Sequence, residues 1–209
     1  LLPALTILAM LGPVCAGVLG TLMPALGYLP AAGLVTLSFD PVSALFDWPG
    51  LGAAMRLSVT TGVLATLLSL GIVTLTLAGW YGTAPFRVLQ RLLSPMLSVP
   101  HAATAFGFAF LIAPSGWLSR LAAPLTGWDR PPDLLIVQDP WGLTLTAGMV
   151  AKEVPFLLLM SLAALGQVDA SRRMRVAEAL GYGRITGWLK TVFPAVYAQI
   201  RLPVYVVLA

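Results

Sequence analysis

Three ionisable side chains, His101, Lys152 and Glu153, lie inside stretches of the sequence that are otherwise almost entirely apolar. A charge near the centre of a membrane helix costs about 2.5 to 3.5 kcal/mol on insertion scales, unless it is paired or hydrated. Lys152 and Glu153 are consecutive, so in a helix they point about 100° apart. We therefore expect at most one of them to face a central cavity and the other to meet a neighbouring helix. His101 is a candidate partner for Glu153.

The chemistry of these three residues leaves several hypotheses open. They could line a solute path, with Phe106 near His101 as a gate, or form a polar cluster that only holds helices together. As a proton or ion relay they would belong to a secondary transporter driven by an ion gradient. As an acid and a base, His101 and Glu153 would suggest an intramembrane enzyme, but a single histidine and the lack of a metal-ligand set argue against it.

The composition explains why these polar residues stand out. Hydrophobic residues make up 58% of the 209-residue chain and charged residues only 10%, with a mean hydropathy of +0.91. Four apolar runs are long enough to cross a hydrocarbon core, at residues 1–26, 57–80, 92–113 and 142–165, and a fifth begins near Ala195. Unpaired backbone groups are costly in lipid, and the runs lack the alternation of a membrane barrel. We predict an all-α, polytopic transmembrane helical bundle, a single domain over residues 1–209 that is a fragment of a longer polypeptide.

The basic residues predict the orientation of this bundle. Arg87 and Arg91 follow the second run without an acid, and residues 166–194 are strongly basic, so both loops should be cytoplasmic. The loops after the first and third runs collect most of the acids: Asp40, Asp47, Asp129, Asp133 and Asp139. The formal net charge of +4 then reflects topology rather than binding of nucleic acid.

Smaller features complete the prediction of the outer loops and of the second run. Residues 42–46, with turn signals on either side, should form a short helix along the outer surface. Residues 114–140 should be largely irregular around Pro131 and Pro132, with one helical turn near residues 117–122. Glycines and threonines give the second run a small-residue face, which indicates close helix packing rather than a substrate site.

The longest basic loop carries its own local pattern, RRMRVAEALGYGRITGWLKTVFP at residues 172–194. Asp169 can cap a helix that runs to Leu180, and the glycines at 181 and 183 should turn the chain into a second short helix over residues 184–192. This helix, glycine turn and helix would project from the membrane. Such a loop could either transmit force to a partner or lie on the lipid headgroups.

This stretch resembles the cytoplasmic loop of permease subunits of ATP-binding-cassette importers, whose consensus is Glu-Ala-Ala, three residues, Gly, nine residues and Ile-x-Leu-Pro. Four positions fit the consensus: Ala177, Leu180, Gly181 and Pro194. Arg175, Val176 and Thr191 depart from it, and Phe193 stands at the leucine position. The layout of the other runs is also similar, most of all to the first half of double-length permeases that import thiamine or ferric iron.

The resemblance implies a transport subunit of the bacterial inner membrane that catalyses no covalent reaction itself. Its partners would be a cytoplasmic ATPase subunit, which binds ATP and magnesium, a second permease half or subunit, a periplasmic solute-binding protein and membrane lipid. The loop would dock into a groove of the ATPase. Leu180, Ile185 and Trp188 would be apolar anchors, Gly181 and Gly183 the turn, and Glu178 and Arg184 polar rim contacts. His101, Phe106, Lys152 and Glu153 would line the translocation path.

Overall fold

The structure, a computed structural model, describes residues 2–130 and 136–209. The helices in this part of the chain are α1 (Leu2–Ala25), α2 (Asp40–Asp47), α3 (Leu51–Trp80), α4 (Ala84–Ser98), α5 (His101–Ile112), α6 (Trp117–Thr126), α7 (Leu143–Leu165), α8 (Ala170–Ala179), α9 (Arg184–Gly187) and α10 (Phe193–Leu208). A π-helical segment, Trp188–Val192, joins α9 to α10. The predicted all-helical fold is confirmed over these residues, which contain no strand beyond one isolated bridge between Leu29 and Leu34.

Five helical stretches are long and apolar enough to cross a membrane: Pro3–Ala25, Leu51–Trp80, His101–Thr126, Leu143–Leu165 and Arg184–Leu208. Two of them differ from the predicted runs. The third is interrupted at Val99 and Pro100, because proline lacks an amide donor and disfavours a helical residue before it. The fifth begins about ten residues earlier than expected, at Arg184, because the π-helical segment carries the helix through Pro194 without a break.

The chain divides into two compact units, Leu1–Arg56 and Leu57–Ala209. In the first unit, Gly27 and Gly33 both adopt φ +79°, and a 3₁₀ turn, Pro30–Ala32, separates the two bridged residues. The predicted short helix is present as α2, with Asp40 and Pro41 in its first turn. Cys15 is exposed on α1.

The second unit has a buried core built mainly from α3, α4, α7 and α10. Its centre contains Val73 and Leu77 of α3, Phe86 of α4, Leu157 of α7 and Val196 of α10. The predicted packing of the small-residue face is confirmed in part: Thr61, Gly62, Thr66 and Thr74 are buried, but Thr60 is exposed and no atom lies within 4 Å of a Cβ at Gly71. The buried residues of α3 recur about every four positions: Thr61, Gly62, Ala65, Thr66, Ser69, Val73, Thr74, Leu77 and Ala78.

The connections of the second unit are set by local chemistry. The predicted helical turn near residue 117 is longer than expected, since α6 covers Trp117–Thr126. The irregular stretch predicted around Pro131 and Pro132 lies outside the described residues. At the start of α7, the Asp139 carboxylate accepts hydrogen bonds from the backbone N–H groups of Leu143 and Thr144, at 2.7 and 3.0 Å. These donors have no partner inside the helix, so Asp139 serves as its cap.

Candidate functional site

A cavity of about 550 Å³ brings together three of the ionisable residues singled out in the sequence. We call it the polar cavity because it is lined by His101, at the start of α5, and by Lys152 and Glu153 of α7. Its remaining lining is apolar: Leu97, Met149, Phe156, Val206 and Val207. The expectation that at most one of Lys152 and Glu153 faces a cavity is wrong, since both line this one. The expected contact with a neighbouring helix is present, because Glu153 bonds to Ser69 on α3.

Lys152 is bonded to the break between α4 and α5. Its Nζ donates to the carbonyl oxygen of Val99 at 2.6 Å. Val99 caps the C-terminal end of α4, and Pro100 follows it without an N–H group. The carbonyl groups at the end of a helix lack intrahelical donors and carry a partial negative charge. A cation at this place thus satisfies an acceptor that the proline interruption leaves open.

Glu153 has a different partner from the one that the sequence suggested. Its side chain is 9% exposed, and its Oε2 accepts a hydrogen bond of 2.9 Å from Ser69 Oγ on α3. Ser69 is itself fully buried. The predicted contact with His101 is replaced by this bond, which joins α7 to the buried face of α3.

Phe106 does not belong to the cavity. It lies on α5 with 68% of its surface exposed and is not among the lining residues. The helix α5 begins at His101, so Phe106 lies more than one turn further along it. The structure offers no support for a gate at this position.

The second candidate region is the elbow, defined here as residues 170–192. Its first helix is capped as predicted, since the Asp169 carboxylate accepts a 2.9 Å hydrogen bond from the Arg172 backbone N–H. The helix ends in a glycine turn in which Gly181 adopts φ +80°. The Tyr182 N–H donates to the Ala177 carbonyl and the Gly181 N–H to the Glu178 carbonyl, the pattern of a Schellman motif.

Gly183 plays a different part from the one expected. Its φ is −66°, an ordinary value for any residue, and it precedes α9 rather than forming the turn. The left-handed conformation of the elbow is confined to Gly181. Pro194 is exposed in the first turn of α10, where a missing N–H costs nothing, so it does not end the second helix.

The inner face of the elbow packs against the turn between α3 and α4. Trp188 is only 3% exposed, and its ring centroid lies 5.4 Å from that of Tyr81. The Arg184 guanidinium donates to the carbonyl oxygens of Ala78 and Tyr81, at 3.0 and 2.7 Å. Both side chains therefore anchor the elbow to its own chain. Trp188 is buried inside the chain and so does not serve as the external anchor that was expected. Arg184 is still exposed, and its role as a polar rim contact stays a prediction.

Ala177 is also occupied within the chain. It is fully buried where α8 meets α9, and a Cβ at Gly187 would lie 3.0 Å from the Ala177 Cβ. The small side chains at both positions allow the two short helices to touch. Ala177 thus shapes the elbow and presents no surface to a partner.

The outer face of the elbow is apolar and open. Leu180 is 69% exposed, Val176 54% and Ile185 50%, whereas Glu178, also exposed, lies near Tyr81, Arg184 and Trp188 on the inner side. Of the three predicted anchors, Leu180 and Ile185 are thus available, and Val176 joins them. Comparisons with protein-family models, with curated proteins and with solved structures found no match. The functional argument therefore depends on these surfaces and on the cavity.

Several residues that form contacts in the polar cavity and in the elbow were not predicted from the sequence. Ser69 could have been found as a buried hydroxyl on the same helix face as Thr61 and Thr66, but its partner could not. Tyr182 lies under Lys190, whose Nζ is 4.3 Å from the ring centroid, a cation–π contact that ties the turn to the π-helical segment. Backbone acceptors such as the Val99 carbonyl have no signal in the sequence.

Proposed function

We propose that this chain is a transmembrane subunit of an ATP-driven importer of the bacterial inner membrane, coupled through its elbow to a cytoplasmic ATPase. The observation that carries the proposal is the two-sided elbow. One face is fixed to the α3–α4 turn by Trp188 and Arg184, and the other exposes Val176, Leu180 and Ile185.

The two faces suit a mechanical coupling. A partner that grips the outer face also moves α3 and α4 through the carbonyl bonds of Arg184, and it moves α10 because α9 continues into it. The Schellman turn leaves few free torsions inside the elbow. Binding of ATP and magnesium by the partner would supply a difference in affinity for two arrangements of the helices, and the elbow would pass that difference to the bundle.

The polar cavity is the proposed solute path. It places Lys152, Glu153 and His101 around one space between helices that are otherwise apolar. A second permease half or subunit would close the open side of the path, and a periplasmic binding protein would deliver the solute. In this proposal the chain itself carries out no covalent chemistry.

The docking proposal is tested by a matched pair of glycine substitutions, Gly181→Leu and Gly183→Leu. A side chain at φ +80° costs about 1 to 2 kcal/mol, whereas Gly183 has an ordinary φ and open space around a Cβ. The first variant should lose co-purification of the ATPase while its membrane insertion is unchanged, and the second should keep it. If the Gly181→Leu protein binds the ATPase at wild-type strength, the docking proposal is wrong.

The solute path is tested separately with Lys152→Met. Uptake of solute into vesicles should fall while the complex with the ATPase still assembles, because Lys152 lies in α7, outside the elbow, and among the described residues it bonds to Val99. Uptake at the wild-type rate would reduce the cavity to a structural polar cluster.

One observation favours a second candidate function. Three ionisable side chains around one cavity are also the arrangement of an ion relay in a secondary transporter. Transport by the reconstituted protein, driven by an ion gradient in the absence of any ATPase, would decide for this alternative. In that case the apolar outer face of the elbow would lie on the lipid headgroups.

A further inference from the structure

A second cavity, also about 550 Å³, lies at the end of the bundle where α7, α8 and α10 come together. Its polar side chains are two adjacent arginines, Arg172 and Arg173, with Gln167, Gln199 and Asp169 around them. Val168, Val176 and Ala195 provide apolar lining. The solute path and the outer face of the elbow do not account for the two arginines.

The single acid beside the arginines does not neutralise them. The Asp169 carboxylate accepts the hydrogen bond of the Arg172 backbone N–H and so caps α8. Arg173 Nη1 donates to the carbonyl oxygen of Thr191, an uncharged acceptor, at 3.1 Å. Within the described residues neither guanidinium forms an ion pair, and both side chains are exposed, so donors of both arginines are open to a ligand.

The depth of this cavity matches that of phospholipid headgroups. The helix α7 has 23 residues and is about 35 Å long, slightly more than the hydrocarbon core of about 30 Å. Gln167 and Val168 lie directly after its last turn, and Ala195 lies in the first turn of α10. The part of the pocket that follows the last turn of α7 therefore lies where headgroups begin, whichever way the chain is oriented.

We propose that this cavity binds the phosphate of an anionic phospholipid, with Arg172 and Arg173 as the donors and Val168 and Ala195 against the glycerol and upper acyl carbons. The arginines attract an anion, and the apolar lining next to them suits acyl carbons. Together they favour a lipid over an acidic peptide, whose binding would not need apolar residues at the membrane surface. Guanidinium groups bind phosphate through paired donors, and basic pockets between membrane helices suit such headgroups. The positive-inside rule assigns the lipid to the cytoplasmic leaflet.

The test measures lipid retention by the purified, detergent-solubilised chain using native mass spectrometry. The probes are phosphatidylglycerol and phosphatidylcholine, supplied in equal amounts. The wild-type protein should retain phosphatidylglycerol preferentially. In the double variant Arg172→Gln/Arg173→Gln, the preference for phosphatidylglycerol should fall about fivefold for each arginine removed. Each basic residue near a membrane surface contributes on the order of that factor. Both side chains are exposed, so the fold should lose only the hydrogen bond from Arg173 to the Thr191 carbonyl, and thermal unfolding checks this.

The matched control removes the same charge from another basic loop on the predicted cytoplasmic side, as Arg87→Gln/Arg91→Gln. Both of these arginines are exposed on α4, away from the cavity. The control should keep the preference. An equal loss in both double variants would mean diffuse surface charge and would overturn the site. Unchanged preference after Arg172→Gln/Arg173→Gln would overturn it too.

A further arm separates a lipid site from a site for free phosphate. Millimolar inorganic phosphate, added to the wild-type protein loaded with phosphatidylglycerol, should leave the bound lipid in place, because the apolar lining binds only the lipid. Displacement of the lipid by phosphate alone would show a simple anion site and would contradict the proposal.

Discussion

Lys152 and Arg184 form the same type of contact in two different parts of the second unit. Each is a cation that donates to backbone carbonyls at the C-terminal end of a helix, Lys152 to Val99 after α4 and Arg184 to Ala78 and Tyr81 at the end of α3. Both contacts satisfy acceptors that the helix leaves open. They differ in number of bonds and in surroundings.

Arg184 donates from two nitrogens at the end of a spanning helix, where water is at hand, whereas Lys152 donates once from within an apolar span. The first contact is suited to hold two elements together permanently, because the planar guanidinium meets both carbonyls at once. The second is a single bond made by a flexible chain in a cavity. The same local chemistry therefore serves attachment at one end of the bundle and a replaceable contact in its middle.

The largest effect should come from Arg184→Ala. It removes two charge-assisted hydrogen bonds and frees the carbonyls of Ala78 and Tyr81, so the free energy of unfolding should fall by about 2 kcal/mol. Thermal unfolding in detergent measures this. The matched control is Arg175→Ala, an exposed arginine of the same elbow, which should change stability by less than about 0.5 kcal/mol. Equal effects would show that Arg184 does not attach the elbow.

A second pair of substitutions compares two buried serines. Ser69→Ala removes the donor of Glu153 and should destabilise the protein by about 1.5 kcal/mol, because the carboxylate is left without its partner. Ser161 on α7 is almost as buried, but its hydroxyl has no hydrogen-bond partner among residues 2–130 and 136–209. Ser161→Ala should therefore be neutral or stabilising. Thermal unfolding of both variants measures the contrast, and similar losses would mean that the bond to Glu153 contributes nothing.

These contacts show which features of the structure can be predicted from the sequence. Apolar length predicts the five spans, and residue type at fixed spacing predicts the Asp169 cap and the turn at Gly181, because caps and left-handed turns depend on one or two neighbouring side chains. Partners far apart in the chain do not follow in this way. Ser69 and Glu153 are separated by 84 positions, and the pairing depends on how two helices pack.

Contacts to backbone carbonyls are the second kind of feature that could not be predicted from the sequence. The carbonyls of Val99, Ala78 and Tyr81 carry no mark in the sequence, and they become acceptors only where a helix ends near a cation. The sequence predicted a short helix over residues 184–192 and a separate span from about Ala195, but in the structure the two are continuous, for a related reason. A proline in the first turn of a helix loses no hydrogen bond, so a π-helical segment before it can continue the chain into α10.

The contrast between the two cations predicts a smaller change for Lys152→Met than for Arg184→Ala. The lost bond to Val99 is offset by removal of a charge from apolar surroundings, so the free energy of unfolding should change by less than about 1 kcal/mol. Thermal unfolding again measures it. A loss as large as that of Arg184→Ala would make Lys152 a permanent attachment and would weaken the case for a replaceable contact in the cavity.

The smallest effect should come from a change of Asp139. Its carboxylate caps the N-terminal end of α7, whereas Lys152 and Arg184 are cations that bind the C-terminal ends of helices. Its hydrogen bonds from the backbone N–H groups of Thr144 and Leu143 lower the pKa of Asp139 below the ordinary value of 3.8. A lowered pKa in the folded state means that the stabilisation is present above the unfolded-state pKa and is lost as the pH falls through the folded one. Asp139→Asn should therefore lower the unfolding temperature slightly at pH 7, and the difference from wild type should shrink below about pH 4. A difference that stays constant from pH 7 to pH 3 would show that the charge of Asp139 plays no part in capping the helix.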